Sequence, residues 1–288
     1  MKLIEAMLRG LDRRRFLGFP IWEFSFRSLS RLYGRLFLRE IVLCHPLRTL
    51  AGLRAYRRVV RDVGPITRLF PGDDTAFVQR ACSEQSWGGS RGAVRQKRGF
   101  LVALGFCQKP PGDAAGHRVC PVGRFNHECA VLARSDPFVP VEHLPAPCRA
   151  CDVRAFGLAA LRAGAAVYIM TSAADIGRDL LVPIIDRARF RYGIFLLCPY
   201  SVPAFILPLC IGRMEALFAT YDTGDCCDYG QFIRADEGQK DERTQLSPAT
   251  RAQVMALLGS VAAARVSPPP RRFRREGALF VPVMDAQD

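Results

Sequence analysis

The chain has 288 residues, 49% hydrophobic and 24% charged, which excludes a mainly disordered protein. It holds 41 Lys and Arg against 27 Asp and Glu, a formal charge of +14, and 11 cysteines. An odd cysteine count cannot be consumed by internal disulfides, and without a Gly period or a sustained heptad the chain is neither collagen-like nor a coiled coil.

The opening stretch carries Lys2, Glu5, Arg9 and Asp12 and has no long apolar run, so no secretory leader is expected. The expected compartment is therefore the reducing cytoplasm, where thiols stay free for metal. Residues 1–62 contain fourteen Lys/Arg and five Asp/Glu, most of the positive surplus. Arg27, Arg31, Arg35 and Arg39 recur every four residues along one side of a predicted helix, with Leu29, Leu32, Tyr33, Leu36 and Phe37 on the other. A second basic helix is predicted over about 47–61. Such helices suit the cytoplasmic face of an anionic membrane, giving a peripheral association, or dock on their own domain with a solvated arginine face.

Turn-forming clusters at Gly64-Pro65, Pro71-Gly72 and Gly88-Gly89 place a boundary near 88–98, dividing a basic helical region, 1–98, from a cysteine-rich domain, 99–288. In the second region short apolar runs at 100–106, 166–170 and 193–197 read as buried strands. The stretches 151–163, 173–190 and 202–219 read as helices between them, with Pro183 interrupting the second. A helix over 248–264 and an apolar segment at 278–283 follow. The repetition predicts an α/β fold, a mostly parallel sheet with flanking helices, preceded by the basic helical region. Residues 193–212 carry no formal charge over twenty positions, but Pro199, Pro203 and Pro208 favour a strand, a turn and a buried helix over a membrane span.

The cysteines carry the chemistry. Cys148 and Cys151 form a CxxC pair, able to reach one metal from a single turn. Cys107 follows the first strand, Cys120 precedes a proline in a Gly/Pro-rich loop, and Cys198 ends a later strand. A parallel sheet gathers its carboxyl ends at one edge, so these thiols can converge. The expected ligand set is Cys107, Cys120, Cys148 and Cys151, joined or partly replaced by Cys198, with Cys226 a further candidate. Cys226 and Cys227 are adjacent and point opposite ways, so only one can bind. An iron–sulfur cluster tolerates such irregular spacing, whereas zinc, the alternative, favours a second clean pair. His127 and Asp225 are the candidate acid–base residues. Thr171, Ser172 and Asp175 can cap a helix or present amides to an anion.

The strand ending at Cys107, the loop Cys120, Cys148-x-x-Cys151 opening a helix, the strand at 165–169 and the strand-ending Cys198 together resemble an uncharacterised prokaryotic cysteine-rich family, domain of unknown function one hundred and sixteen, over about residues 99–230. The resemblance implies iron–sulfur binding and brings no reaction with it. The function expected is an iron–sulfur redox or cofactor-dependent biosynthetic protein, with oxidoreductase as the candidate activity and a redox partner of unknown kind. Its rivals are a zinc-stabilised scaffold and a basic nucleic-acid binder; no recognised nucleic-acid module supports the latter.

Overall fold

A computed structural model describes residues 32–60, 63–83, 99–112 and 119–283. Seven strands form one sheet in the order β1-β5-β4-β2-β3-β7-β6. They are β1 (Ile66–Leu69), β2 (Gly99–Gly105), β3 (Ala166–Met170), β4 (Phe190–Leu197), β5 (Glu215–Thr220), β6 (Phe273–Glu276) and β7 (Leu279–Pro282). The four central strands β5, β4, β2 and β3 are parallel, and β1, β7 and β6 add antiparallel margins, so the sheet is mixed.

Central strands must be apolar on both faces, and these are. In β2, Phe100, Val102 and Leu104 enter one core while Leu101 and Ala103 enter the other. Helices cover both sides. The first face carries α3 (Asp74–Ser83), α4 (Asp152–Arg162) and α8 (Pro248–Ala263). The second carries α1 (Leu32–Leu36, continued as a π turn Phe37–Leu43), α2 (Pro46–Val59), α5 (173–187) and α6 (Val202–Gly212). Between them in sequence, α7 (Tyr229–Asp236) lies beyond the carboxyl ends of the strands. Helix α5 is assembled from Ala173–Ile176, a π segment Gly177–Leu181 and Val182–Arg187. The widened turn lets the helix pass Pro183, which supplies no N–H, without ending there.

The strands expected at 100–106, 166–170 and 193–197 correspond to β2, β3 and the second half of β4. The helix expected at 202–219 is corrected: it stops at Gly212, Arg213 takes a left-handed backbone at φ 54°, and the rest becomes β5. A continuous apolar run does not distinguish a buried helix from a buried strand. The uncharged stretch 193–212 is the end of β4, a 3₁₀ turn and α6, and no helix among the described residues is long and apolar enough to cross a membrane.

Arg27 and Arg31 lie outside the described residues. Helices α1 and α2 pack directly on the sheet domain: Ile41 and Tyr56 are buried in the second core. Gly52 brings α2 close to α6, where a Cβ would stand 2.8 Å from Ile211 Cγ1. Strand β1, which falls between the turn clusters Gly64-Pro65 and Pro71-Gly72 in the region expected to be helical, pairs with β5.

Candidate functional site

Strand β2 runs through α4 to β3 on one side, and β3 runs through α5 to β4 on the opposite side of β2. The chain thus reverses direction between β2 and β4. Ligands of open α/β sheets bind outside the carboxyl ends of the strands at such a point. Here the Tyr221 hydroxyl ties the two ends together, accepting from Gly105 N at 3.1 Å and donating to Leu196 O at 2.7 Å.

A cavity opens at this point, with about 90 Å³ free to the centres of water molecules. Its walls are mostly apolar, including Met170, Ile176, Phe205 and Phe232, while Cys107, Cys198, Cys226 and Lys240 bring polar atoms to it. Thr244 Oγ1 donates to Cys107 Sγ at 3.1 Å, Cys226 N to Cys198 Sγ at 3.3 Å, and Lys240 Nζ to Cys226 Sγ at 3.5 Å. The neighbouring Cys198 thiol first, as a hydrogen-bond donor to the Cys226 sulfur, and Lys240 after it, hold Cys226 down to about 7 against the effect of burial. Cys198 is pushed up by giving its proton to that bond and by burial, and Cys107 is pushed up by burial. Burial opposes charge on Lys240, but the facing cysteine sulfurs, Cys226 foremost, outweigh it and its pKa rises. Cys226, the most readily ionised of the three thiols, and the Lys240 ammonium thus meet at a largely apolar wall that also carries Cys107, Cys198 and Asp236.

The remaining loop cysteines form a second constellation. Cys120, Cys129, Cys148 and Cys151 line a smaller cavity of about 20 Å³, together with Lys109. All four are buried and none is in a disulfide. Cys120 and Cys129 come from the two ends of one loop, and Cys148 from the short helix Ala146–Arg149. Cys151 is the residue before α4. Arg154 holds the CxxC turn by donating to the carbonyls of Cys148 and Arg149, each at 2.9 Å. Lys109 is 1% exposed and donates through Nζ to Gly123 O, Asn126 O and Asn126 Oδ1 at 3.3, 2.9 and 2.7 Å, so it organises the loop between Cys120 and Cys129. Burial lowers Lys109 to about 8, against the opposing pull of the Cys120, Cys129 and Cys151 sulfurs. Burial raises Cys148 and Cys151, and takes Cys129 up to about 11. Backbone N–H groups act against this, those of Leu132 and Val131 on Cys129 and those of Arg154 and Val153 on Cys151.

The structure therefore divides the expected ligand set. Cys107 lines the cavity with Cys198 and Cys226, and does not line the one shared by Cys120, Cys148 and Cys151. Cys129 takes that fourth place. Phe106–Gln108 forms a 3₁₀ turn, so Cys107 and Lys109 serve different cavities from adjacent chain. Arg124 ties this segment to the loop bearing Lys240, donating to the carbonyls of Cys107 (2.9 Å) and Lys109 (3.1 Å) and to those of Lys240, Asp241 and Glu242.

His127 does not line either cavity: its Nδ1 lies 2.7 Å from Ile169 O, which fixes it as the donor there, and its Nε2 is 3.3 Å from Thr171 Oγ1. Asp225 lies beside the exposed Cys227, whose Sγ is 3.8 Å from Asp225 Oδ2, while the adjacent Cys226 is buried. Ser172 caps α5 by accepting from Asp175 N at 3.1 Å, and Asp236 accepts from Ala173 N; the protein's own carboxylates fill that helix start. Among the described residues no group of three His, Cys, Asp or Glu stands ready for a single metal ion. Lys109, Cys129, Tyr221, Lys240 and Thr244 were not singled out from the sequence. Cys129 had a signal, since Gly123 and Asn126 in the loop after Cys120 mark a turn that returns the chain.

No protein-family model matches the chain, and no match was found among curated proteins or solved structures.

Proposed function

We propose that the protein binds an iron–sulfur cluster through Cys120, Cys129, Cys148 and Cys151 and works as a redox component. The observation that carries this reading is four buried, unpaired thiols around one cavity, with backbone N–H groups set against two of the sulfurs. Hydrogen bonds to sulfur and exclusion of water are the levers by which proteins tune such clusters. A single tetrahedral zinc, bonded at 2.3 Å, needs thiolates about 3.8 Å apart. A cluster interposes its own iron and sulfide and tolerates a wider set of ligands. The four thiols must ionise to ligate, and Lys109 supplies positive charge where burial opposes thiolates. Bound there, a cluster would supply one-electron transfer.

The test is anaerobic purification of the full chain followed by iron and acid-labile sulfide analysis. Both are expected in the wild type, and joint replacement of Cys148 and Cys151 by Ser is expected to remove them with the visible absorbance. Full iron content in that variant would refute the assignment.

We also propose that α1 and α2 face an anionic membrane surface. Arg35 and Arg39 are exposed beside outward leucines: Leu43 is 66%, Leu47 80% and Leu50 60% exposed. Cationic and apolar side chains presented together suit the headgroup boundary.

A further inference from the structure

We infer that the cavity between β2 and β4 is a dithiol site, in which Cys226 attacks a small, mainly apolar disulfide and Cys198 resolves the product. This goes beyond the cluster reading and uses none of its ligands, so iron content and thiol exchange can fail separately.

The cavity walls are largely apolar; hydroxyls of Thr171, Ser201 and Tyr221 and the Asp236 carboxylate also line it, but the groups in contact with Cys226 are the Cys198 sulfur and Lys240, whose side chain is 6% exposed. Lys240 Nζ lies 3.5 Å from Cys226 Sγ, and Cys198 Sγ lies 3.3 Å from Cys226 N. A cation beside a buried sulfur stabilises its thiolate, the form that attacks disulfides. A second thiol beside the first, its sulfur accepting from the Cys226 backbone N–H, is placed to resolve a mixed disulfide; acyl transfer would need one thiol alone. The free space corresponds to roughly six to nine water-sized positions, room for one apolar half of such a substrate.

The Cys226 thiolate attacks one sulfur of R–S–S–R′, forming Cys226–S–S–R and expelling R′S⁻, which takes the Cys198 proton. The resulting Cys198 thiolate attacks Cys226 Sγ, forming the Cys198–Cys226 disulfide and expelling RS⁻, which takes a proton from water. Two electrons pass from the protein pair to the substrate, leaving two small thiols.

The experiment uses the full chain, reduced and anaerobic, with the exposed Cys44 and Cys227 replaced by Ser and dithiodipyridine as the disulfide. One fast phase should release both halves of the reagent as pyridinethione, and peptide mapping should find Cys198 joined to Cys226. Cys198→Ser should stop after the first half, leaving the reagent's other half on Cys226. Lys240→Met, which spares both thiols, should slow the fast phase about tenfold at neutral pH. Mapping the Cys198–Cys226 link in the protein that keeps both thiols gives a readout that stands even where Cys198→Ser fails to fold. A fast phase at other cysteines, a Cys226 link to Cys107, or a rate indifferent to Lys240 would overturn the assignment.

Discussion

Cys226 and Cys107 line the same cavity, yet their surroundings drive them apart. Cys226 is held down to about 7 by the Cys198 thiol and Lys240, while burial pushes Cys107 up. Because the thiolate is the reactive form, alkylation of Cys226 by iodoacetamide should rise with pH through a midpoint near 7. Cys107 should stay inert until well into alkaline solution. Peptide-resolved alkylation across a pH series measures both, and equal midpoints would contradict the geometry. Neither difference is legible in the sequence, because Lys240 reaches Cys226 from fourteen residues away and Thr244 reaches Cys107 from 137.

At the scale of elements, the sequence carries most of the central sheet. β2, β3 and β4 are short apolar runs bounded by turn residues, and α4 and α8 lie where periodicity puts them. What it hides are β5 and β1. The apolar 202–219 run reads as one helix because the decisive event, the left-handed turn at Arg213, falls on a residue with no preference for that conformation. β1 is only four residues long and its strand character depends on β5 beside it. The start of α5 is local and therefore legible: Ser172 accepts from Asp175 N, and its own hydroxyl donates to Asp175 Oδ2 at 2.7 Å. Ser172→Ala removes both and should cost about 1 kcal/mol, read as a lowered denaturation midpoint at constant slope. An unchanged midpoint would mean that the neighbouring Asp236 carries the helix start by itself.

At the scale of the whole molecule, two facts of topology decide the chemistry. Reversal of the chain between β2 and β4 creates the cavity of Cys107, Cys198 and Cys226, and the loops beyond the sheet collect Cys120, Cys129, Cys148 and Cys151 beside it. The sequence marks the cysteines near strand ends but not their partition, since Cys107 and Lys109 diverge within one 3₁₀ turn. The basic face of α1 and α2 belongs to the same scale. Each exposed arginine near anionic lipid is worth about 1 kcal/mol, so Arg35→Gln with Arg39→Gln should weaken sedimentation with anionic vesicles about thirtyfold. Wild-type protein that ignores such vesicles at low salt would rule the membrane surface out. In the proposed cluster site Cys129, and not Cys107, completes the loop set with Cys120, Cys148 and Cys151. Anaerobic iron and acid-labile sulfide analysis of Cys129→Ser beside Cys107→Ser separates the two: iron and sulfide should be lost in Cys129→Ser and kept in Cys107→Ser, and the reverse pattern would overturn the ligand set.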